Sequence, residues 1–124
     1  MTADNQDLKK DATDEPTVAE IEDAAVRIKR IAHRTPVERS GWLSNSNREV
    51  FLKLECFQPT GSFKLRGAAA RMTSLGPDRH KNGILTVSAG NHGLAVAHCS
   101  TLLSIDATIV VTDCPVSAGF AAPA

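Results

Sequence analysis

Two short segments of this sequence hold residues whose types and order could do chemistry. The first is Gln58-Pro59-Thr60-Gly61-Ser62-Phe63-Lys64-Leu65-Arg66-Gly67-Ala68, and the second is Ser88-Ala89-Gly90-Asn91-His92-Gly93. In the first, Lys64 follows a Gly-Ser pair at the expected start of a helix. An ammonium there opposes the helix dipole, and partial burial beside Phe63 would disfavour its charge further. A lysine in that setting is a candidate nucleophile or Schiff-base former. The ordinary alternative is a solvated surface lysine, the commoner fate of this residue type. The second segment would gather backbone N–H groups, the Ser88 hydroxyl and the Asn91 amide around a concave turn, a donor set suited to a carboxylate. Its ordinary alternative is a glycine-rich connection that binds nothing. Spacing excludes two other readings. Gly90-Asn91-His92-Gly93 is not G-x-G-x-x-G, and the sequence contains no G-x-x-x-x-G-K-[ST], so neither a dinucleotide fingerprint nor a P-loop is present.

The elements that must position these segments follow from periodicity and punctuation. Thr17-Val18-Ala19-Glu20 has the form of a capping box, and Val18, Ile21, Ala25, Ile28 and Ala32 recur at helical spacing, so a helix over 17–33 should bury one face before Thr35-Pro36 stops it. Residues 41–49 are loop-like, and Val50-Phe51-Leu52-Lys53-Leu54-Glu55 is a β-rich run. Phe63 to Leu75 is rich in helix formers and Gly76-Pro77 ends it, with a charged surface loop to follow. Ile84 to Val87 reads as a second strand, Ser88 to Gly93 as a tight turn, Leu94 to Leu103 as a helix and Ala107 to Val111 as a third strand. Strands alternating with helices point to a parallel α/β sheet. Three strands alone would leave such a sheet open at its edges, so the fold is expected to be incomplete.

Composition narrows the class. The 124 residues carry 14 basic and 14 acidic side chains, but residues 1–23 hold eight of the acids against Lys9 and Lys10. That segment has a balance of −6 and leaves +6 for the remainder. Residues 1–16 have the composition of a disordered acidic leader, 17–116 that of a folded body and 117–124 that of an unstructured tail. The body lacks the clustered Lys and Arg with interleaved aromatics expected of a nucleic-acid binder. Cys56, Cys99 and Cys114 form no C-x-x-C pair, and His33, His80 and His98 show no ligand spacing, so neither a disulfide framework nor a metal site is expected. Cys56 and Cys99 read as small buried hydrophobes and Trp42 as a packing residue. With neither a signal peptide nor an apolar run long enough to span a bilayer, the cytoplasm is the expected location.

Taken together, Leu52-Lys53-Leu54-Glu55-x-x-Gln58-Pro59-Thr60-Gly61-Ser62-Phe63-Lys64-Leu65-Arg66-Gly67-Ala68 and Thr86-Val87-Ser88-Ala89-Gly90-Asn91-His92-Gly93 resemble the pyridoxal-phosphate enzymes of the threonine dehydratase and serine racemase group. The resemblance runs from near Val18 to about Val116, and the Leu-Arg-Gly after the lysine is similar to the dehydratase branch. It implies the N-terminal part of a three-layer α/β domain of fold type II, with a parallel or mixed sheet. It also implies that Lys64 forms the internal Schiff base with pyridoxal 5'-phosphate and takes the α-proton once the substrate amine displaces it. Phe63 would pack near the pyridine ring and Asn91 would bond the cofactor's phenolic oxygen. Ser62, Ser88, Gly90, Asn91 and His92 would line the pocket for the substrate carboxylate. The reaction implied is β-elimination of a small hydroxy amino acid, threonine or serine, to a 2-oxo acid and ammonia, in a homo-oligomeric enzyme without a metal. Serine racemases resemble this loop but carry serine where this chain has Ala89, which favours dehydration over racemisation. The family's later glycine-rich phosphate loop has no counterpart here, since Gly119 is the only glycine after Gly93. The rival expectation is therefore a non-catalytic product of the same ancestry, acting only by association with a full-length partner.

Overall fold

A computed structural model describes residues 15–111. Most of the expected leader, the whole of the expected tail and Cys114 lie outside the described residues. The chain opens with α1 (Val18–Arg27), whose capping box forms as its sequence requires. The Thr17 N–H donates to Glu20 Oε2 at 2.8 Å, and the Glu20 N–H donates to Thr17 Oγ1 at 3.3 Å. The helix is shorter than 17–33, and burial falls just beyond its end, at Ile28, Ile31 and Ala32. Val18, Ile21 and Ala25, expected on the buried face, are exposed. Periodicity identifies residues that share a face, not whether a neighbour covers it.

The strand pairing corrects the expected three-stranded parallel sheet. β1 (Val37–Arg39) and β2 (Phe51–Lys53) pair antiparallel with Glu38 opposite Leu52, so the β-rich run at 50–55 belongs to a separate ribbon. β1 escapes the sequence reading because Val-Glu-Arg offers no alternation long enough to recognise. After a single 3-10 turn at Glu55–Phe57 comes α2 (Lys64–Ser74), and a four-residue helix α3 (Pro77–His80) lies in what read as a charged loop. The proline at the start of α3 supplies a preset φ where its missing N–H costs nothing.

β3 (Ile84–Val87) and β4 (Ala107–Val110) pair parallel, Ile84 opposite Ala107 and Val87 opposite Val110, joined through α4 (Asn91–Leu103). Helix α4 ends on left-handed Ser104, and the Ile105 N–H returns to Ser100 O at 3.0 Å. The strand side chains on one face, Ile84, Thr86 and Ile109, are half-buried. Leu85, Val87 and Val110 on the other face are exposed, although parallel sheets are ordinarily covered on both.

The core joins Ile28, Ile31 and Ala32 to Leu65, Ala68, Ala69 and Met72 of α2, to Ala95, Val96 and Cys99 of α4, and to Ile105. Four of these eleven are alanine, which lets the two helices approach closely but makes each larger side chain count for more. Two expected packing residues are not in it: Trp42 is 91% exposed and Cys56 is exposed. Cys99 is buried as expected. The α/β class holds, with two two-stranded sheets in place of one larger sheet.

Candidate functional site

The first segment makes two successive turns. Gln58 O accepts from the Gly61 N–H at 2.8 Å, and Gly61 takes φ +68, a value that favours glycine. Lys64 is the first residue of α2, following an N-cap Phe63 that provides no side-chain bond. Lys64 is not buried beside Phe63 as its neighbours suggested. Both residues are exposed, and the ammonium lies 5.0 Å from the centroid of the Phe63 ring. Just before it, Thr60 and Ser62 are each 8% exposed, and neither hydroxyl has a hydrogen-bond partner. A buried polar atom left unpaired costs about 1–3 kcal/mol, and two within three residues mark a position where a polar ligand would be gained.

In the second segment α4 begins at Asn91, so the helix takes in residues read as turn. The Ser88 N–H bonds Val110 O at 2.9 Å, and the Ser88 hydroxyl accepts from the Gly90 N–H at 3.3 Å. Asn91, His92 and Gly93 form the first helical positions, whose N–H groups have no acceptor within the helix. With the positive end of the dipole they form a set of donors, exposed at Asn91 and His92, of the kind that suits an anion. A Cβ on Gly93 would lie 2.6 Å from Ser88 O and 3.3 Å from Ile109 Cγ2, so only glycine permits the turn to close this tightly. Ser88 is half-buried, while Ala89, Gly90, Asn91 and His92 are exposed.

Helices α2 and α4 pack together, and a groove of about 470 Å³ between them is lined by Gly67, Arg71, Thr86 and His92 among others. It brings His92 to the first turns of α2. A second hollow of about 510 Å³ lies at the C-terminal end of α4, against Ser100, Ile105 and Ile109. Lys64, Ser88 and Asn91 line neither, so the described residues display these groups without enclosing them.

Sequence reading missed a polar network under the lysine turn. Arg66 donates to Glu55 twice, Nε to Oε2 at 2.9 Å and Nη2 to Oε1 at 2.8 Å. The Thr35 hydroxyl donates to Glu55 Oε1 at 2.6 Å, and Gln58 Nε2 donates to Oε2 at 3.1 Å. Gln58 also pairs with the backbone of His33, accepting from its N–H and donating to its carbonyl, both at 2.9 Å. Glu55, Gln58 and Arg66 all stand in the quoted motif, and their spacing of three and eleven residues was the available signal. Nothing in one dimension shows that the chain folds back to bring in Thr35 and His33.

The Arg66 fork, with help from Thr35 and Gln58 and against the pull of burial, holds the Glu55 carboxyl well below its ordinary 4.5, at about 2. A folded value below the unfolded one means stability that is present above about pH 4.5 and lost as pH falls toward 2. The Arg66 side chain is 35% exposed, so with solvent screening the contribution is about 1–2 kcal/mol. Urea unfolding at pH 7 and pH 3 measures it: the native chain should lose more stability than Glu55→Gln, and equal losses would contradict this role.

Residues 28–119 match the family described as pyridoxal-phosphate dependent enzyme. The chain belongs to that family. It is 46% identical over 99 residues to the catabolic L-threonine dehydratase TdcB of Staphylococcus aureus (strain USA300), covering 78% of this chain and 29% of that protein. Among solved structures it is similar to maize serine racemase, at 39% identity and a TM-score of 0.71, covering 76% of this chain and 30% of that one. It is also similar to the processed form of threonine deaminase isoform 2 from Solanum lycopersicum, at 33% identity and a TM-score of 0.66, covering 81% and 30%. The pyridoxal-phosphate family thus accounts for the fold, and the chain spans about a third or less of the length of these relatives. The residues present fit a group bearing an aldehyde, a phosphate and a phenolic hydroxyl. Lys64 offers an accessible amine, Thr60 and Ser62 carry unpaired buried hydroxyls, and α4 opens with free N–H groups.

Proposed function

We propose that this chain carries the lysine and the carboxylate-binding turn of a pyridoxal-phosphate-dependent threonine/serine ammonia-lyase. The observation that carries the reading is the exposed Lys64 at the head of α2, directly after the unpaired hydroxyls of Thr60 and Ser62. Lys64 would hold the cofactor through its amine, Phe63 would flank the ring and Asn91 would bond its phenolic oxygen. The cofactor supplies an electron sink for negative charge at Cα. Once freed, the Lys64 amine moves the α-proton, from the one face of the substrate that it can reach. Ser62, Ser88, Gly90, Asn91 and His92 would receive the substrate carboxylate. The Ser88 hydroxyl suits this because its oxygen already accepts from the Gly90 N–H, leaving its proton free to donate. Fixing the carboxylate there orients the Cα–H bond toward the lysine, which is where most of the gain from positioning arises.

The likeness to serine racemase supports a second reading, racemisation of serine. Racemisation needs an acid or base on the face opposite the lysine, and Ala89 supplies none. The setting we propose is a homo-oligomeric cytoplasmic enzyme. The free thiols Cys56 and Cys99 fit a reducing compartment, and no helix among the described residues is long and apolar enough to cross a membrane.

Incubation of the whole chain with pyridoxal phosphate, then borohydride and peptide mass analysis, tests the reading. One tag on Lys64, absent in Lys64→Ala, is the expected result; equal tagging of exposed Lys81 would overturn it. With L-serine as substrate, 2-oxo acid should form without a matching yield of D-serine. D-serine appearing at the same rate would replace the lyase by the racemase.

A further inference from the structure

We propose that Gln58 and Arg66 are positioning residues that clamp both ends of the Lys64 turn, fixing the backbone of Lys64 before any ligand arrives. The inference rests on the proposed role of Lys64, but its geometric content stands apart from that role. The segment from residue 58 to residue 66 begins and ends on the same two anchors. At its start, Gln58 Nε2 donates to His33 O at 2.9 Å and to Glu55 Oε2 at 3.1 Å. At its end, Arg66 Nη2 donates to His33 O at 2.9 Å and to Glu55 Oε1 at 2.8 Å. One carbonyl and one carboxylate therefore tie together the two ends of the loop, and the Thr35 hydroxyl also donates to that carboxylate, at Oε1.

Between the anchors the turn has little else to hold it. Phe63 and Lys64 are exposed, Phe63 offers α2 no side-chain cap, and the Thr60 and Ser62 hydroxyls are unpaired. The backbone bonds within it are Gly61 N–H to Gln58 O, a 3.5 Å contact from the Leu65 N–H to Ser62 O, and Arg66 N–H to Phe63 O. Leu65 alone of the residues from Gly61 to Arg66 reaches the hydrophobic core. A turn so sparsely bonded opens locally unless its ends are fixed, and local opening is the low-energy motion of such a segment. The planar fork of Arg66 suits this task because one guanidinium meets the carboxylate at two atoms and the carbonyl at a third point. A lysine at 66 keeps the charge but cannot reproduce that geometry.

Hydrogen–deuterium exchange on the whole chain, without cofactor, reads the clamp directly. In Gln58→Leu and Arg66→Met, the hydrogen-bonded amides of Gly61 and Leu65 should exchange at least about ten-fold faster, while those of residues 91–103 stay within about two-fold of the native chain. Arg66→Lys should fall between. In the borohydride experiment these variants should slow tagging of Lys64 while leaving tagging of Lys81 unchanged. Unchanged exchange at Gly61 and Leu65 overturns the proposal. An equal acceleration across 91–103 also overturns it, because the residues would then support the fold at large. If the exchange pattern is as stated but native Lys64 takes no tag, the clamp stands and the proposed function falls.

Discussion

Replacing Leu65 with alanine lowers the unfolding free energy of the chain by about 3 kcal/mol, the middle of the range for a buried leucine. Leu65 is 0% exposed and, with Cys99, is one of the two largest side chains sealed completely from solvent. It sits one residue after Lys64, about 100° further round the helix, so a single turn of α2 both displays the amine and reaches the core. Its neighbours in the cluster include Ala68, Ala69 and Ala95, small residues with no side-chain freedom to move into the space left behind. Collapse around the vacancy is therefore limited, and the cavity term is felt nearly in full. Against a typical domain stability of about 5–15 kcal/mol, this is a large fraction. Urea titrations followed by far-ultraviolet circular dichroism should show a clear fall in midpoint with an unchanged slope. A midpoint equal to that of the native chain would mean that Leu65 is not sealed as described.

Gly93→Ala should cost about 2–3 kcal/mol, and Gly67→Ala should do the reverse. At position 93 the new methyl would stand 2.6 Å from the carbonyl oxygen of Ser88, a separation that carbon and oxygen do not sustain. Neither group can yield easily. Ser88 is tied to β4 through Val110 O, its hydroxyl is held by Gly90, and Gly93 is the third residue of a thirteen-residue helix. Backbone displacement of this kind falls in the upper part of the overpacking range. At position 67 a Cβ would meet nothing within 4 Å, and the residue lies inside α2. There alanine recovers about 0.5–1 kcal/mol of helix propensity. Opposite signs in two melting curves are the expected outcome. A destabilised Gly67→Ala, or an unperturbed Gly93→Ala, would show that the spacing around these glycines is misjudged.

The contrast between these glycines indicates how far the sequence can be read. Local signals carried well: the Thr17–Glu20 box forms, helix α2 stops before Gly76-Pro77 and the two chemistry-bearing segments fall at the heads of two helices. Spacing over a few residues is set by backbone geometry, which is the same in every protein. Long-range pairing carried poorly. Phe51 to Lys53 has the residues of a strand, but its partner is the inconspicuous Val37–Arg39, and no rule of alternation points from one to the other. The polar network failed to appear for the same reason, since Glu55 and Arg66 meet His33 and Thr35 only after the chain reverses. The aromatic residues misled in a different way. Trp42 is large and apolar, so burial was the natural expectation, yet no described neighbour covers it.

The uncovered face of the parallel ribbon has a colloidal consequence. Leu85, Val87 and Val110 lie side by side on two strands that, among the described residues, pair only with each other along one edge. An apolar strip with edges unpaired among the described residues attracts its own kind, and collision between two such strips is favoured twice, by burial and by hydrogen bonding. These few aliphatic side chains therefore favour self-association of the described segment against the modest positive balance of the charges around them. Edge charges are the remedy that natural sheets use, and the solvent-facing positions of β3 and β4 hold none.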